Sequence, residues 1–588
     1  MKKLSKIARP QRILLTGVFG PFGVDDEYGR KENIMELFHN QVTKGQELAS
    51  FRFHHRSFGL YFIAENIDAD VTVLDFPSKR RFEKEIAKGY DAVGISFITP
   101  NYVKAREMAR ITRELARETT IILGGHGAAI EGVEELIDCD HVVKGEGIRW
   151  MRRFLGQDPN TPIVHPTLSS TERASIFGVP LPGIRASLLV PGVGCVNGCN
   201  FCSTSHFFGR TYTPYLSSGK ELFDTACRIA DERGTDEFFV MDENFLKDRD
   251  RAMGLLAEME RHQRYFEFNI FSSAEAIVAF GLDNLVRLGV KYIWIGVESA
   301  STKGNYEKNS GINPKELVRE LRNRGILVLA SGILCMEHHT QENIQKDIDF
   351  MVDLESDFVQ FMLFTPLPVT ALYRDHQKRG LLREDIPFEE WHGQKMLSYK
   401  QPHFPGNSAE EWIKKAFRQD YEVNGSSMFR TVDTSFQGYS WLAGMDTRDK
   451  ILEHRMHILE EQTRAFSSML PAVAKHAVNS KERDRALALE QEIRTVLPLT
   501  ALEKIQRVAV KALVTRWKLR VQLMGDSIQP KTIVTKYQAG QAKAVSTPST
   551  DAIKKTKKKL QLKVAAAAAV SASCAKTQTT SSLQGNIG

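Results

Sequence analysis

Twice along this chain, short apolar and β-branched runs alternate with helical segments, a pattern that few folds can accommodate. In the first block the runs are RILLTG (12–17), VTVLDF (71–76), DAVGISF (91–97), TIILGGH (120–126) and HVVKGE (141–146), with helical stretches such as KAREMARITRELARE between them. Strands alternating with helices imply parallel βαβ units, so residues 1–160 are expected to form an open α/β sheet. The Pro-rich stretch DPNTPIVHPTLSSTERASIFGVPLPG follows, and 161–184 reads as a linker. The alternation then resumes in ASLLVP, EFFVMDE, EFNIFSS, YIWIGVES, LVLASGIL and FVQFMLFTP. Six such units over 185–380 predict a second α/β domain, a partial barrel. Beyond 381 the strands stop. Residues 381–525 read as a mainly helical domain, and 526–588, with KKTKKK, AAAAA and TQTTSS, as a disordered basic tail too poor in apolar residues for a core.

Charge and cysteine content narrow the possible functions. The net charge is +7, but from Asp526 onward ten Lys face two Asp; that +8 leaves −1 for residues 1–525. Basic character is therefore a property of the tail, and the folded body offers no nucleic-acid surface. No apolar run approaches the ~20 residues of a spanning helix. The basic start and short apolar stretch of MKKLSKIARPQRILLTGVFGPFG imitate a signal peptide. Gly and Pro interrupt that stretch and DDEYGRKE follows, so it reads as the first strand of a cytoplasmic protein. Of seven cysteines, Cys139, Cys227, Cys335 and Cys574 are scattered without a repeating interval. That distribution argues against a disulfide framework.

Ligands on such sheets bind beyond the carboxyl ends of the strands. In the first block these ends are Gly17–Phe19, Ser96–Pro100, Gly124–Gly127 and Gly145–Gly147. In the second, the first strand runs directly into CVNGCNFC, with Cys195, Cys199 and Cys202 on one loop and His206 four residues further on. A structural zinc site needs four closed ligands, usually as two separated pairs, and here would have to recruit His206. An iron–sulfur cluster held by three cysteines instead leaves one iron open to substrate or cofactor.

The Cys-x3-Cys-x2-Cys spacing, with Phe201 before the last Cys and six βα units around it, resembles the radical S-adenosylmethionine (SAM) superfamily. The resemblance implies that Cys195, Cys199 and Cys202 hold a [4Fe–4S] cluster whose unique iron chelates the amino and carboxylate groups of SAM. One electron then cleaves SAM and yields a 5′-deoxyadenosyl radical. It also implies SAM contacts from Phe201, from Asp242 and Glu243 after the second strand, from Ser272 after the third, and from Glu298 and Ser299 in IGVES. Met336 departs from the family, which usually has Gly there. The first block, with Ser96-x-Ile98 and Gly124-Gly125 at successive strand ends, resembles the Rossmann-like cobalamin-binding domain of the B12-dependent subfamily. Ser96, Thr99, Gly124, Gly125, Gly145 and Glu146 are the contacts this implies. The Asp-x-His-x-x-Gly motif of other B12 proteins is absent, since the loop after the first strand reads TGVFGPFG.

The resemblance spans about 1–380. It implies a cobalamin-dependent methyltransferase acting on unactivated carbon, with one SAM remethylating cobalt and a second supplying the radical. A cyclase or rearrangement enzyme with the same cofactors, and a non-catalytic cobalamin or redox sensor, are the alternatives. A tRNA methylthiotransferase fits poorly, because no second cysteine cluster is present. The expected partners are a flavodoxin- or ferredoxin-like electron donor and a small-molecule or lipid substrate, with pocket identity residing partly in 381–445. The segment KIQRVAVKALVTRWKLRVQL is a basic amphipathic helix, suited either to peripheral contact with an anionic membrane or to packing on its own domain with a solvated basic face. Cys335 reads as a core residue, His338 and His339 as a helix start, Arg210 as an ion-pair partner and Cys574 as a free thiol of the tail.

Overall fold

The computed structural model describes residues 12–20, 38–46, 50–176, 179–180, 186–300, 311–445, 449–524 and 531–540. The first block forms β1 (Arg12–Gly17), β2 (Phe51–His55), β3 (Asp70–Asp75), β4 (Ala92–Ser96), β5 (Thr120–Gly124) and β6 (His141–Val142). Of these, β3, β1, β4, β5 and β6 lie side by side in that order, all parallel. Helices cover both faces, which is why Ile13, Leu14 and Leu15 in succession are all buried.

β2 stands apart from this sheet. It pairs antiparallel with β7 (Thr171–Ile176), which pairs in turn with β8 (Val179–Pro180). The segment 161–184, expected as a linker, is corrected on this point. Its longer strand, β7, needs a partner about 120 residues upstream, which local composition does not reveal. Phe38 and Phe51, beside this small sheet, pack on Tyr292 and Phe358 of the second domain. The Phe38 ring lies 5.9 Å from that of Phe358 and meets it edge-on.

The second block gives β9 (Ser187–Leu189), a hairpin of β10 (Gly192–Gly194) and β11 (Tyr212–Pro214), then β12 (Glu237–Val240), β13 (Glu267–Phe271), β14 (Val290–Glu298), β15 (Leu327–Leu334) and β16 (Phe358–Leu363). β9 and β12–β16 form one parallel six-stranded sheet in sequence order, the open barrel expected from six βα units. Ile293, Ile295, Val328, Val359 and Phe361 join the core shared with the helices, while Tyr292, Leu329 and Phe358 turn to the other face. The two domains share a further core, in which Leu60, Phe62 and Ile148 meet Leu188 and Val190. Their relative position is therefore held by packing as well as by the chain between them.

After β16 the chain is mainly helical, with helices Ser408–Asn424, Ser427–Ala443, Lys450–Ser467, Ser480–Val496 and Ala501–Met524. Arg430 of the second pairs with Asp420 of the first at 2.7 Å, both side chains buried. Among the described residues no helix is long and apolar enough to cross a membrane. The expectation of a disordered tail from 526 is corrected over 531–540. β17 (Ile533–Tyr537) pairs antiparallel with β3 and forms the edge of the first sheet. Its β-branched Ile-Val-Thr supplies the strand propensity, and β3 supplies an otherwise unpaired edge. The rest of that tail, 526–530 and 541–588, lies outside the described residues.

Candidate active site

The loop that carries the three thiols is built to expose them. Gly198 adopts φ +67°, a left-handed conformation that glycine takes without strain, and the Arg210 guanidinium packs against it. Ser205 ties both ends of the loop, donating to the Cys195 carbonyl at 2.8 Å and accepting from the Gly198 N–H at 3.1 Å. Cys202 precedes the short helix Ser203–Phe207, and its N–H donates to the Cys199 carbonyl at 3.0 Å.

The three cysteines are unpaired and half-buried. Burial pushes the Cys195 thiol up, and the Cys202 thiol up to about 12, with the nearby Glu243 carboxylate adding to both shifts. Thiolates in such a place need cationic metal to stabilise them. A structural zinc ion takes four closed ligands, and this loop offers three thiols. His206 hydrogen-bonds the backbone at Cys199, which makes it a brace of the loop.

The strand ends of both domains open on one cavity of about 480 Å³. Ser96, Gly124, Gly125, Gly145 and Glu146 line it from the first domain, and Thr204, Phe207 and Glu243 from the second. Thr99, expected among them, is buried in the turn Thr99–Asn101 and is absent from the cavity wall. Gly125 has φ +78° and lies so close to β4 that a Cβ would meet the Phe97 carbonyl oxygen at 2.6 Å. Gly124 has nothing within 4 Å of where its Cβ would be, so bare backbone floors the cavity. A wide, glycine-floored, largely apolar opening fits the edge or tail of a large cofactor. Glu146 also caps the helix Gly147–Phe154, accepting from the N–H groups of Ile148 (2.7 Å) and Arg149 (2.8 Å), and accepts from the Tyr215 hydroxyl at 3.1 Å.

At the end of β12 two neighbouring carboxylates part company. Asp242 is buried and pairs with the Arg251 guanidinium at 2.7 Å, with the Tyr212 hydroxyl donating at the same distance. These two partners make it a brace that holds the hairpin against the barrel. Glu243 is exposed to the cavity, yet the cavity lies deep in protein. That desolvation, reinforced by Asp242, pushes its pKa up to about 7 against a hydrogen bond from Thr204.

The other expected SAM residues lie off the wall of this cavity, on the barrel side. Phe201 packs on the barrel core. Ser272 donates to Asn244 Oδ1 at 3.0 Å. Glu298 sits at φ +71°, at an irregularity between β14 and β15. Ser299 donates to Asp347 at 2.5 Å; His339 Nε2 reaches the same carboxylate at 3.0 Å, while its Nδ1 accepts the Met336 N–H. His339 thus belongs to a buried network behind the end of β14. Cys335 is fully buried at φ +57°, its carbonyl accepting from the Tyr399 hydroxyl.

Two further cavity residues were not among the expected contacts. Asp75, at the end of β3, accepts from the Ser57 N–H and hydroxyl, and burial raises its pKa. His126 stacks on Phe207 at 4.6 Å across the domain boundary, and burial lowers its pKa to about 4. His126 lies within Gly124–Gly127, one of the strand ends picked out from the sequence, which is the signal that could have found it.

Comparison with known proteins agrees with this arrangement. Residues 189–351 match the Radical SAM superfamily and residues 48–154 the B12 binding domain. By these matches the chain carries a B12-binding domain followed by a radical SAM domain. An uncharacterised methyltransferase of Pyrococcus horikoshii is 22% identical over 405 residues, covering 62% of this chain and 87% of that protein. The bacteriochlorophyllide d C-8(2)-methyltransferase of Chlorobaculum tepidum is 23% identical over 337 residues, covering 51% and 71%. The anaerobic magnesium-protoporphyrin IX monomethyl ester cyclase of Cereibacter sphaeroides is 22% identical over 338 residues, covering 48% and 53%.

Proposed function

We propose that this protein is a cobalamin-dependent radical SAM methyltransferase acting on an unactivated carbon. The observation that carries the reading is the single cavity onto which the glycine-floored strand ends of the B12-binding domain and the carboxylate beside the thiol loop both open. When bound, the iron–sulfur cluster supplies the electron that cleaves SAM, and cobalamin supplies the carrier for the methyl group.

The residues have separable tasks. Cys195, Cys199 and Cys202 hold the cluster, with Ser205 and Gly198 fixing the loop that presents them. Glu243, free of an ion pair, is placed to accept hydrogen bonds from the ammonium of SAM, and ionises once that cation is beside it. Asp347 and His339 orient Ser299 at the ribose end. Gly124, Gly125, Ser96 and Gly145 receive cobalamin, and Phe207 with His126 keeps water from the space between the two cofactors.

The partners extend the proposal. A flavodoxin- or ferredoxin-like donor supplies the electrons, a cytoplasmic setting keeps the thiols reduced, and the substrate is a small molecule or lipid met in peripheral contact with a membrane. A ring-closing reaction is the second reading, favoured by the match to the cyclase. The products decide between them. With reconstituted enzyme, reductant and candidate substrate, a methyltransferase forms S-adenosylhomocysteine together with 5′-deoxyadenosine, and deuterium from methyl-labelled SAM enters the product. Formation of 5′-deoxyadenosine without S-adenosylhomocysteine would overturn methylation in favour of cyclisation.

A further inference from the structure

The helix Ala501–Met524 has two apolar faces, and its own domain uses only one. Arg507, Val510, Val514, Trp517 and Val521, spaced three and four apart, form the inward stripe. Val514 is fully buried and Val510 packs on the same core, while Arg507 pairs with Glu490. This much is an ordinary surface helix.

The opposite face departs from that pattern. Ile505, Val508, Ala512, Leu519 and Leu523 recur at helical spacing on the outward side, with Ile505 67%, Val508 72%, Leu519 55% and Leu523 83% exposed. From 505 to 523 the stripe is about 27 Å long at 1.5 Å per residue. Lys504, Lys511 and Lys518, seven apart, run along one flank, and Arg516 and Arg520 along the other. No Asp or Glu occurs from Lys504 to Met524. An apolar ridge between two cationic rows matches a bilayer, whose acyl region takes the ridge while its anionic headgroups meet both rows.

We infer that this face is a docking surface for an anionic lipid bilayer. Charge disfavours the other occupants. Residues 541–588 carry eight Lys against one Asp, so the chain's own end is repelled, as is the same face of a second copy. A nucleic acid would satisfy the basic rows but leave the apolar ridge against phosphate and water. The inference deepens the peripheral contact included in the proposed function, yet vesicle binding does not depend on the reaction catalysed.

The test is co-sedimentation of the full-length holoenzyme with vesicles of phosphatidylcholine alone or mixed with phosphatidylglycerol. Binding is expected only to the anionic vesicles, and I505E/L519E should lower it at least tenfold with circular dichroism and iron content unchanged. Neutralising Lys511 or Lys518 should weaken partitioning about fivefold for each ~1 kcal/mol lost. Absence of binding by the unaltered protein overturns the inference. Binding that survives I505E/L519E overturns it too, since the lysine-rich end would then be responsible. Binding of a single-stranded oligonucleotide, lost in the charge variants, without vesicle binding reassigns the face to nucleic acid. SAM cleavage that stays normal in I505E/L519E separates failure of this surface from failure of the methyltransferase reading.

Discussion

Asp242 is anchored to Tyr212 and Arg251, whereas Glu243, the next residue, looks into the cavity, and the two substitutions should therefore fail differently. Glu243→Gln keeps the shape and removes the charge. It is expected to weaken SAM binding about 10- to 100-fold, the worth of a charge-assisted hydrogen bond of roughly 1.5–3 kcal/mol, with iron content unchanged in equilibrium dialysis. Asp242→Asn leaves the buried Arg251 with only the half-exposed Asp248 at 3.8 Å as counter-ion and should cost about 3–5 kcal/mol in denaturant titration. Equal SAM affinity in Glu243→Gln would remove this carboxylate from the site. Gly124→Leu places a side chain where nothing now stands within 4 Å, so the fold and iron content should persist while cobalamin is lost from the absorption spectrum. Unchanged cobalamin content would show that the cofactor sits elsewhere. Which of two adjacent carboxylates faces the cavity depends on the direction each side chain leaves the strand end, and a motif does not encode it.

At the level of elements, what was legible in the sequence was whatever repeats locally. All five strands of the parallel first sheet and all six of the barrel announce themselves as apolar runs because both faces of a parallel sheet are covered. The strands misread were those whose partners are remote. β7 lies in a Pro- and Gly-punctuated stretch and depends on β2, and β17 is five residues long in a polar region and depends on β3. The turn after β4 buries Thr99 while Ile98 and Asn101 reach the cavity. Deleting residues 531–540 should bare the β3 edge and promote association. Light scattering should rise and hydrogen exchange in β3 should accelerate, whereas protection equal to that of the intact chain would mean that β17 contributes nothing to the sheet.

For the molecule as a whole, the two sheets act as one device because a common core and a common cavity join them. The B12-binding domain supplies the bare strand ends and the barrel supplies Glu243, Thr204 and Phe207 beside the thiol loop, so neither domain alone forms the cavity. The central claim is accordingly that one chain holds both cofactors at once. The most direct test is anaerobic reconstitution with iron, sulfide and hydroxocobalamin, followed by metal analysis and an absorption spectrum. About four irons, as in a [4Fe–4S] centre, and one cobalt per chain are expected, with the iron lost when Cys195, Cys199 and Cys202 are all replaced by Ala and cobalamin retained. Zinc in place of iron, or iron with no cobalt, would contradict the account.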